Sequence, residues 1–312
     1  MRRLAAIFGL ASLLVAGTAQ AAAYDDAFAA YQKGDYALAL KLFKPLAEKG
    51  DGKAQYNVGT MYNNSLGVKT DYVEAAKWYK MAADQGNMYA QVDLALLLEY
   101  GRGVMKDYKE AMRLFHLAAD QKSPAAEVNI GSIYERGLGV PQDYKEAIKW
   151  YRQAGDHGNA DAQYDLALMY AGGHGVPPDN KQAAVWYRKA ADQGNDSAQL
   201  NLGAMYFSGQ GVKKSVKEAL KWFRLAAQKG NGHAQFNLAT IYTDGDKDEG
   251  VPQDLARALV WFNAAAVTLM GNEAKIADDD GKLVAKAMTR EQMLTAQNIG
   301  RECKAGNYTA CE

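Results

Sequence analysis

Two cysteines and four histidines are the residues from which metal or nucleophilic chemistry would be built most directly, and their spacing speaks against both. Cys303 and Cys311 have seven residues between them, too wide for a redox CxxC pair, and no third cysteine is present to begin a zinc set. His116, His157, His174 and His233 include no two that stand one helical turn apart, and none adjoins a cysteine. They read as solvated surface histidines. No Gly-x4-Gly-Lys phosphate loop, HExxH helix, GxSxG elbow or Ser-x-x-Lys pair occurs. No catalytic residue, metal ligand or cofactor is therefore expected.

An acidic loop asks for separate weighing. Asp244, Asp246 and Asp248 fall at the first three ligand spacings of a calcium loop, where alternate carboxylates would surround a hard cation. Glu249 occupies the place of the turn glycine, however, and Leu255 the place of the bidentate glutamate. Without that last ligand a plain solvated loop is the better reading.

The remaining polar residues gain meaning only from what must position them, which is a repeat. Ala54, Ala90, Ala126, Ala162, Ala198 and Ala234 are spaced by 36 residues. Taking each as position 1, positions 5, 8 and 9 are apolar and position 6 is always Gly or Ala, which marks an amphipathic helix with one seat for close approach by a second. A Gly-x-Gly-Val segment then reverses the chain (101–104, 137–140, 173–176, 209–212). A second amphipathic run follows, with Ala at position 22 and an aromatic pair at 25 and 26. All five tryptophans (Trp78, Trp150, Trp186, Trp222, Trp261) fall at position 25, and core packing is a better account of them than a stacking platform. Gly at position 33 stops this helix, with Lys122 as the exception.

Position 4 behaves differently. It reads Asn57, Asp93, Asn129, Asp165, Asn201 and Asn237, a short polar side chain on a helix whose positions 3, 5 and 8 are apolar. Positions 4, 7 and 11 share one face, and stacked repeats turn that face into a ladder along a concave wall. Two readings stand side by side: these groups contact a bound polypeptide, or they bond backbone in a neighbouring repeat.

The pattern A-Q-x-N-L-G-x-M-Y-x-x-G-x-G-V-x-x-D-x-x-x-A-x-x-W-Y-x-x-A-A-x-x-G resembles the Sel-one-like repeat, a longer relative of the tetratricopeptide repeat. The resemblance covers six full copies within 54–270 and a shorter copy over 22–53, whose turn is Lys33-Gly34-Asp35. It implies an all-α fold, a right-handed α-solenoid of antiparallel helix pairs, used as a scaffold for another protein or peptide. Thr289-x-x-Gln292 has the form of a capping box, which predicts one final helix within a C-terminal cap and tail over 271–312.

Charge and the N-terminus bound the setting. Lys+Arg and Asp+Glu are both 36, so no field draws the chain to nucleic acid. Residues 1–21 carry Arg2-Arg3, an apolar run to Ala16 and small residues before Ala22, the form of a cleavable signal peptide without a lipoprotein cysteine. A periplasmic or secreted protein without stable membrane insertion is expected, with Cys303 and Cys311 joined as a disulfide in that oxidising setting. The expected function is that of an adaptor binding a polypeptide in its groove and acting on an envelope receptor or a secretion system. The alternative is a β-lactamase or cell-wall hydrolase, as in the cysteine-rich branch that the resemblance includes, although the cysteine pairs of that branch are missing here.

Overall fold

The computed structural model describes residues 21–305 together with Tyr308 and Cys311. The expected signal segment, apart from Ala21, lies outside the described residues. The fold is an all-α repeat solenoid. Its helices are α1 (21–32), α2 (Tyr36–Glu48), α3 (Gly52–Asn63), α4 (Tyr72–Asp84), α5 (Met88–Tyr100), α6 (Tyr108–Ala119), α7 (Pro124–Arg136), α8 (Tyr144–Asp156), α9 (Ala160–Gly172), α10 (Asn180–Asp192), α11 (Asp196–Ser208), α12 (Val216–Gln228), α13 (Gly232–Asp244), α14 (Leu255–Thr268), α15 (Gly271–Ala287) and α16 (Arg290–Ala305). The chain divides into two compact units, residues 1–142 and 143–312. Within each, the main packing is between successive helices.

Local chemistry sets each helix. The second helices begin at Asp71, Asp107, Asp143 and Asp179, whose carboxylates each accept from two backbone N–H groups of the first turn. The first helices α5, α7, α9 and α11 end on Gly101, Gly137, Gly173 and Gly209 in the left-handed conformation. Ser65 takes that seat in the first full repeat at φ 60°, and Lys122 adopts φ 63° where glycine stands elsewhere. The helix end at Lys122 thus keeps the turn of its relatives, with Ser123 capping the helix that follows.

The next glycine of the turn is bound by space as well as by φ. A Cβ on Gly67, Gly103, Gly139, Gly175 or Gly211 would lie 2.2–2.7 Å from the first residue of an earlier second helix: Tyr36, Tyr72, Tyr108, Tyr144 and Asn180 respectively. The small residue at position 6 admits an aromatic ring, since a Cβ on Gly59 or Gly203 would sit 2.7 Å from Tyr79 or Phe223.

A ladder that the sequence reading passed over runs through position 2. Gln55, Gln91, Gln163, Gln199 and Gln235 are buried, and each donates from Nε2 to a backbone carbonyl at the end of the preceding helix, at 2.7–3.4 Å. Their Oε1 atoms accept from position 32, at the end of the second helix of the same repeat: Gln85 onto Gln55, Gln121 onto Gln91, Gln193 onto Gln163 and Thr268 onto Gln235, at 2.7–3.0 Å. Lys229 occupies the donor's seat above Gln199 and turns instead to the Gly194 carbonyl, which leaves Gln199 Oε1 buried without a partner. A buried amide that is fully satisfied links helices directionally, which apolar packing cannot do.

In the second unit the guanidinium groups at position 27 add another link. Arg152 lies over the rings of Trp186 and Tyr170 at 5.8 and 5.9 Å, and Arg188 over Trp222 and Tyr206 at 5.2 and 5.5 Å. Both donate to the tyrosine hydroxyl, as does Arg224 to Tyr242 at 2.7 Å. Four of the five tryptophans are buried, with Trp261 fully so, whereas Trp150 is only half-buried.

The C-terminal cap has two helices where one is expected. The capping box forms as read, with Thr289 N–H on Gln292 Oε1 at 2.8 Å and Gln292 N–H on Thr289 Oγ1 at 3.2 Å. Helix α15 precedes it and buries only Ala277, Gly281 and Val284. That stripe is too narrow, and its flanks too charged, to announce itself by periodicity. Cys303 and Cys311 are joined as a disulfide, and Tyr308 stacks near Trp261 with ring centroids 6.3 Å apart.

The acidic loop is not a plain solvated turn. Asp246 and Val251 pair through both backbone hydrogen bonds, and Asp246 Oδ1 accepts from Glu249 N–H at 2.9 Å. This sends the Glu249 carboxylate to the start of α12, where it accepts from Val216 N–H at 2.8 Å, Lys217 N–H at 3.1 Å and Ser215 Oγ at 2.9 Å. A carboxylate on the free N–H groups of a helix start is a cap supplied from the following repeat. Those backbone donors hold the Glu249 carboxyl below the usual carboxylate range. Among the described residues no three Asp, Glu, His or Cys side chains form a metal-binding group.

Candidate protein-binding groove

The ladder residues reach different ends. Asn57 donates to the Tyr24 hydroxyl at 2.9 Å, and Asn129 donates to the Ala125 carbonyl of its own helix at 2.8 Å. Asp93 accepts from the hydroxyls of Tyr56 and Tyr79, and Asn201 shares a hydrogen bond with the Tyr187 hydroxyl. Asp165 is engaged within the structure. Asn237 is half-buried and meets no hydrogen-bonding partner among the described residues. At Asn57, Asp93, Asn129 and Asn201 the partners are thus tyrosine hydroxyls or the residue's own helix rather than backbone in a neighbouring repeat.

In the second unit two rungs share a cavity. Asn201 on α11 and Asn237 on α13 line a space of about 480 Å³ with Ala204, Ser208, Thr240 and Phe207. Positions 4, 7 and 11 of the α11 repeat and 4 and 7 of the next therefore lie on one wall, as helical phase requires. The lining carries no charged residue. Phe207 is 45% exposed, a large apolar surface at the edge of uncharged amides and hydroxyls. Such a wall can bind by apolar contact and by amide and hydroxyl hydrogen bonding.

The corresponding place in the first unit is charged. Burial pushes the Asp93 carboxyl up, with the two tyrosine hydroxyls acting in the opposite sense. Burial and the adjacent Asp93 charge raise Tyr56 to about 12 and Tyr79 higher. Tyr187, in the matching place of the second unit, is raised to about 12 mainly by burial. Tyr79 Oη also lies 3.3 Å from Thr60 Oγ1, whose hydroxyl can donate to it.

No described helix is long and apolar enough to cross a membrane.

Comparison with known proteins fits this geometry. A Sel1 repeat protein from Oxalobacter formigenes is 36% identical, with a TM-score of 0.70, over 79% of this chain and the whole of its own. The protective antigen c5321 of uropathogenic Escherichia coli strains, described as displaying an SLR fold, is 29% identical, with a TM-score of 0.51, over 94% of this chain and 69% of its own. A search of curated proteins finds no match. Proteins of this repeat type are helical scaffolds for protein–protein interaction. Seven segments, 20–51, 52–87, 89–123, 124–159, 160–195, 196–231 and 232–266, match the Sel1 repeat, and the chain belongs to the Sel1 repeat family.

Proposed function

We propose that the protein is an exported, non-catalytic adaptor that holds an extended segment of another polypeptide against the first-helix wall, and through it acts on an envelope receptor or a secretion system. The observation that carries the reading is the cavity at Asn201 and Asn237, with an amide on Asn237 that the fold itself leaves unused. An asparagine side chain donates and accepts at once and so matches a peptide group. The apolar edge at Phe207 suits an apolar side chain of the same segment.

The test begins with a photoreactive residue at Ser208, introduced in cells exporting the protein, to identify the polypeptide at the wall. Its affinity is then measured on the wild type and on Asn237→Ala. Loss of about 1–2 kcal/mol in binding with an unchanged melting temperature is expected, because the variant removes a donor and acceptor that the fold does not use. Unchanged binding in Asn237→Ala and in Asn201→Ala would sink the groove. Turnover of a chromogenic cephalosporin by the purified protein would contradict a non-catalytic adaptor.

A further inference from the structure

The groove of the first unit contains a carboxylate that no cation of the fold answers. Asp93 accepts from Tyr56 and Tyr79, and no described Lys, Arg or His pairs with it. The Tyr56 ring centroid lies 5.8 Å from that of Tyr79 and 5.9 Å from that of Tyr89. Tyr89 stands one turn before Asp93 on α5, on the same helical face, and is 60% exposed. Three tyrosine rings therefore neighbour one partly buried anion.

The second unit shows what the charge is not for. Tyr164 and Tyr187 hold their rings 5.8 Å apart, as Tyr56 and Tyr79 do, and Asn201 takes the place of Asp93 against the Tyr187 hydroxyl. The place of Tyr89 is filled there by Ser197. An asparagine meets the Tyr187 hydroxyl in this frame, so the fold does not require an anion there. An anion drawn partly out of water is unfavourable unless something compensates it. A carboxylate has about four acceptor positions and two are taken, which leaves room for an incoming donor. The negative faces of tyrosine rings complement an alkylammonium or a guanidinium. A calcium ion would require several oxygen ligands around one point, and a single carboxylate does not supply them.

We propose that Tyr56, Tyr89 and Asp93, with the buried Tyr79 hydroxyl behind the carboxylate, form a receiving site for one cationic side chain, lysine or arginine, of the polypeptide bound in the groove. The site rests on the groove reading for its occupant, but its selectivity can be measured independently of any natural partner.

The probes are two blocked peptides of glycine, serine and alanine that differ only at the centre, one carrying lysine and the other the uncharged norleucine. Each is titrated into the full-length exported chain while tyrosine ring resonances are followed by NMR. The lysine peptide should bind about tenfold more tightly than the norleucine peptide, which corresponds to a partly desolvated cation against rings and carboxylate. Asp93→Asn should abolish that preference, Tyr89→Ala should reduce it several-fold by the same contacts, and added salt should weaken it. Asp93→Asn is expected to fold, because Asn201 already fills the equivalent seat; circular dichroism and melting verify this. Equal affinity for the two peptides, including no binding of either, overturns the site, and so does a lysine preference that survives Asp93→Asn. If the preference is absent while Asn237→Ala weakens the natural partner, the cation site falls and the groove stands. If the preference depends on Asp93 while the groove variants leave the partner bound, the groove reading falls alone.

Discussion

The two units build the same helix pairs and invest their polar residues in opposite places. In the second unit, position 27 carries Arg152, Arg188 and Arg224, each reaching a tyrosine of the next repeat, while the cavity at Asn201 and Asn237 is lined without charge. In the first, Lys80 at that position pairs only with exposed Asp84 at 3.1 Å, and Leu98 replaces the tyrosine, but the groove holds the Asp93 carboxylate. The repeat frame thus tolerates exchange at two kinds of site. One, between helices, sets how tightly repeats are coupled; the other, on the open wall, sets what the groove can recognise.

The comparison can be broken first at the core that ends the second unit. Trp261→Ala removes a fully buried ring and should cost about 3–5 kcal/mol, whereas Trp150→Ala, at a half-buried position, should cost clearly less. Equal losses in denaturant titrations of the two variants would contradict the burial difference. A smaller effect tests the coupling itself. Arg188→Met keeps the aliphatic stem but loses the ring contacts and the bond to Tyr206, and about 1–2 kcal/mol is expected, while Lys80→Met should stay within about 0.5 kcal/mol. If Lys80→Met proved as damaging, the units would not differ in coupling.

Lys229→Gln restores the donor missing above Gln199 Oε1 and should stabilise the protein by about 1 kcal/mol, read as a higher midpoint in urea. The least effect is a slope with pH. Burial raises the Asp93 carboxyl in the folded state, so its protonated form favours folding at low pH, and that contribution fades as pH rises through the raised value. Asp93→Asn should therefore be slightly more stable than wild type near neutrality and lose that advantage on acidification. Glu249 has the opposite sign: its lowered carboxyl favours folding above the ordinary range, and Glu249→Gln should narrow the loss of stability as pH falls.

The helix pairs were legible because their causes are local and recur every 36 residues: small residues at position 6, a glycine turn, an aromatic pair. The glutamine ladder was present in the same alignment of residues, at positions 2 and 32, but positions 30 apart in sequence give no sign of pairing and a polar residue near a helix start reads as surface. Helix α15 was missed because it buries three small or branched side chains on one narrow line. The role of Glu249 was hidden for a different reason. Its partners stand 32–34 positions away, and a residue counted as a defect in a calcium loop serves as a helix cap. At position 4, helical phase put the short polar side chains on one face but did not give the fate of each, since tyrosine hydroxyls from other helices decide which amides stay available.

The second glycine of each turn has a consequence for how such a chain can change length. Gly67, Gly103, Gly139 and Gly175 each rest on a tyrosine, Tyr36, Tyr72, Tyr108 and Tyr144, in one constant register. Excising one whole period between two of these glycines would present the survivor with another tyrosine in the same seat. Duplication and loss of complete repeats are therefore nearly silent at this joint. An insertion inside a repeat would shift the glycine off its tyrosine, and the three extra residues of the last repeat fall where that constraint has ended, in the loop closed by Asp246 and Val251.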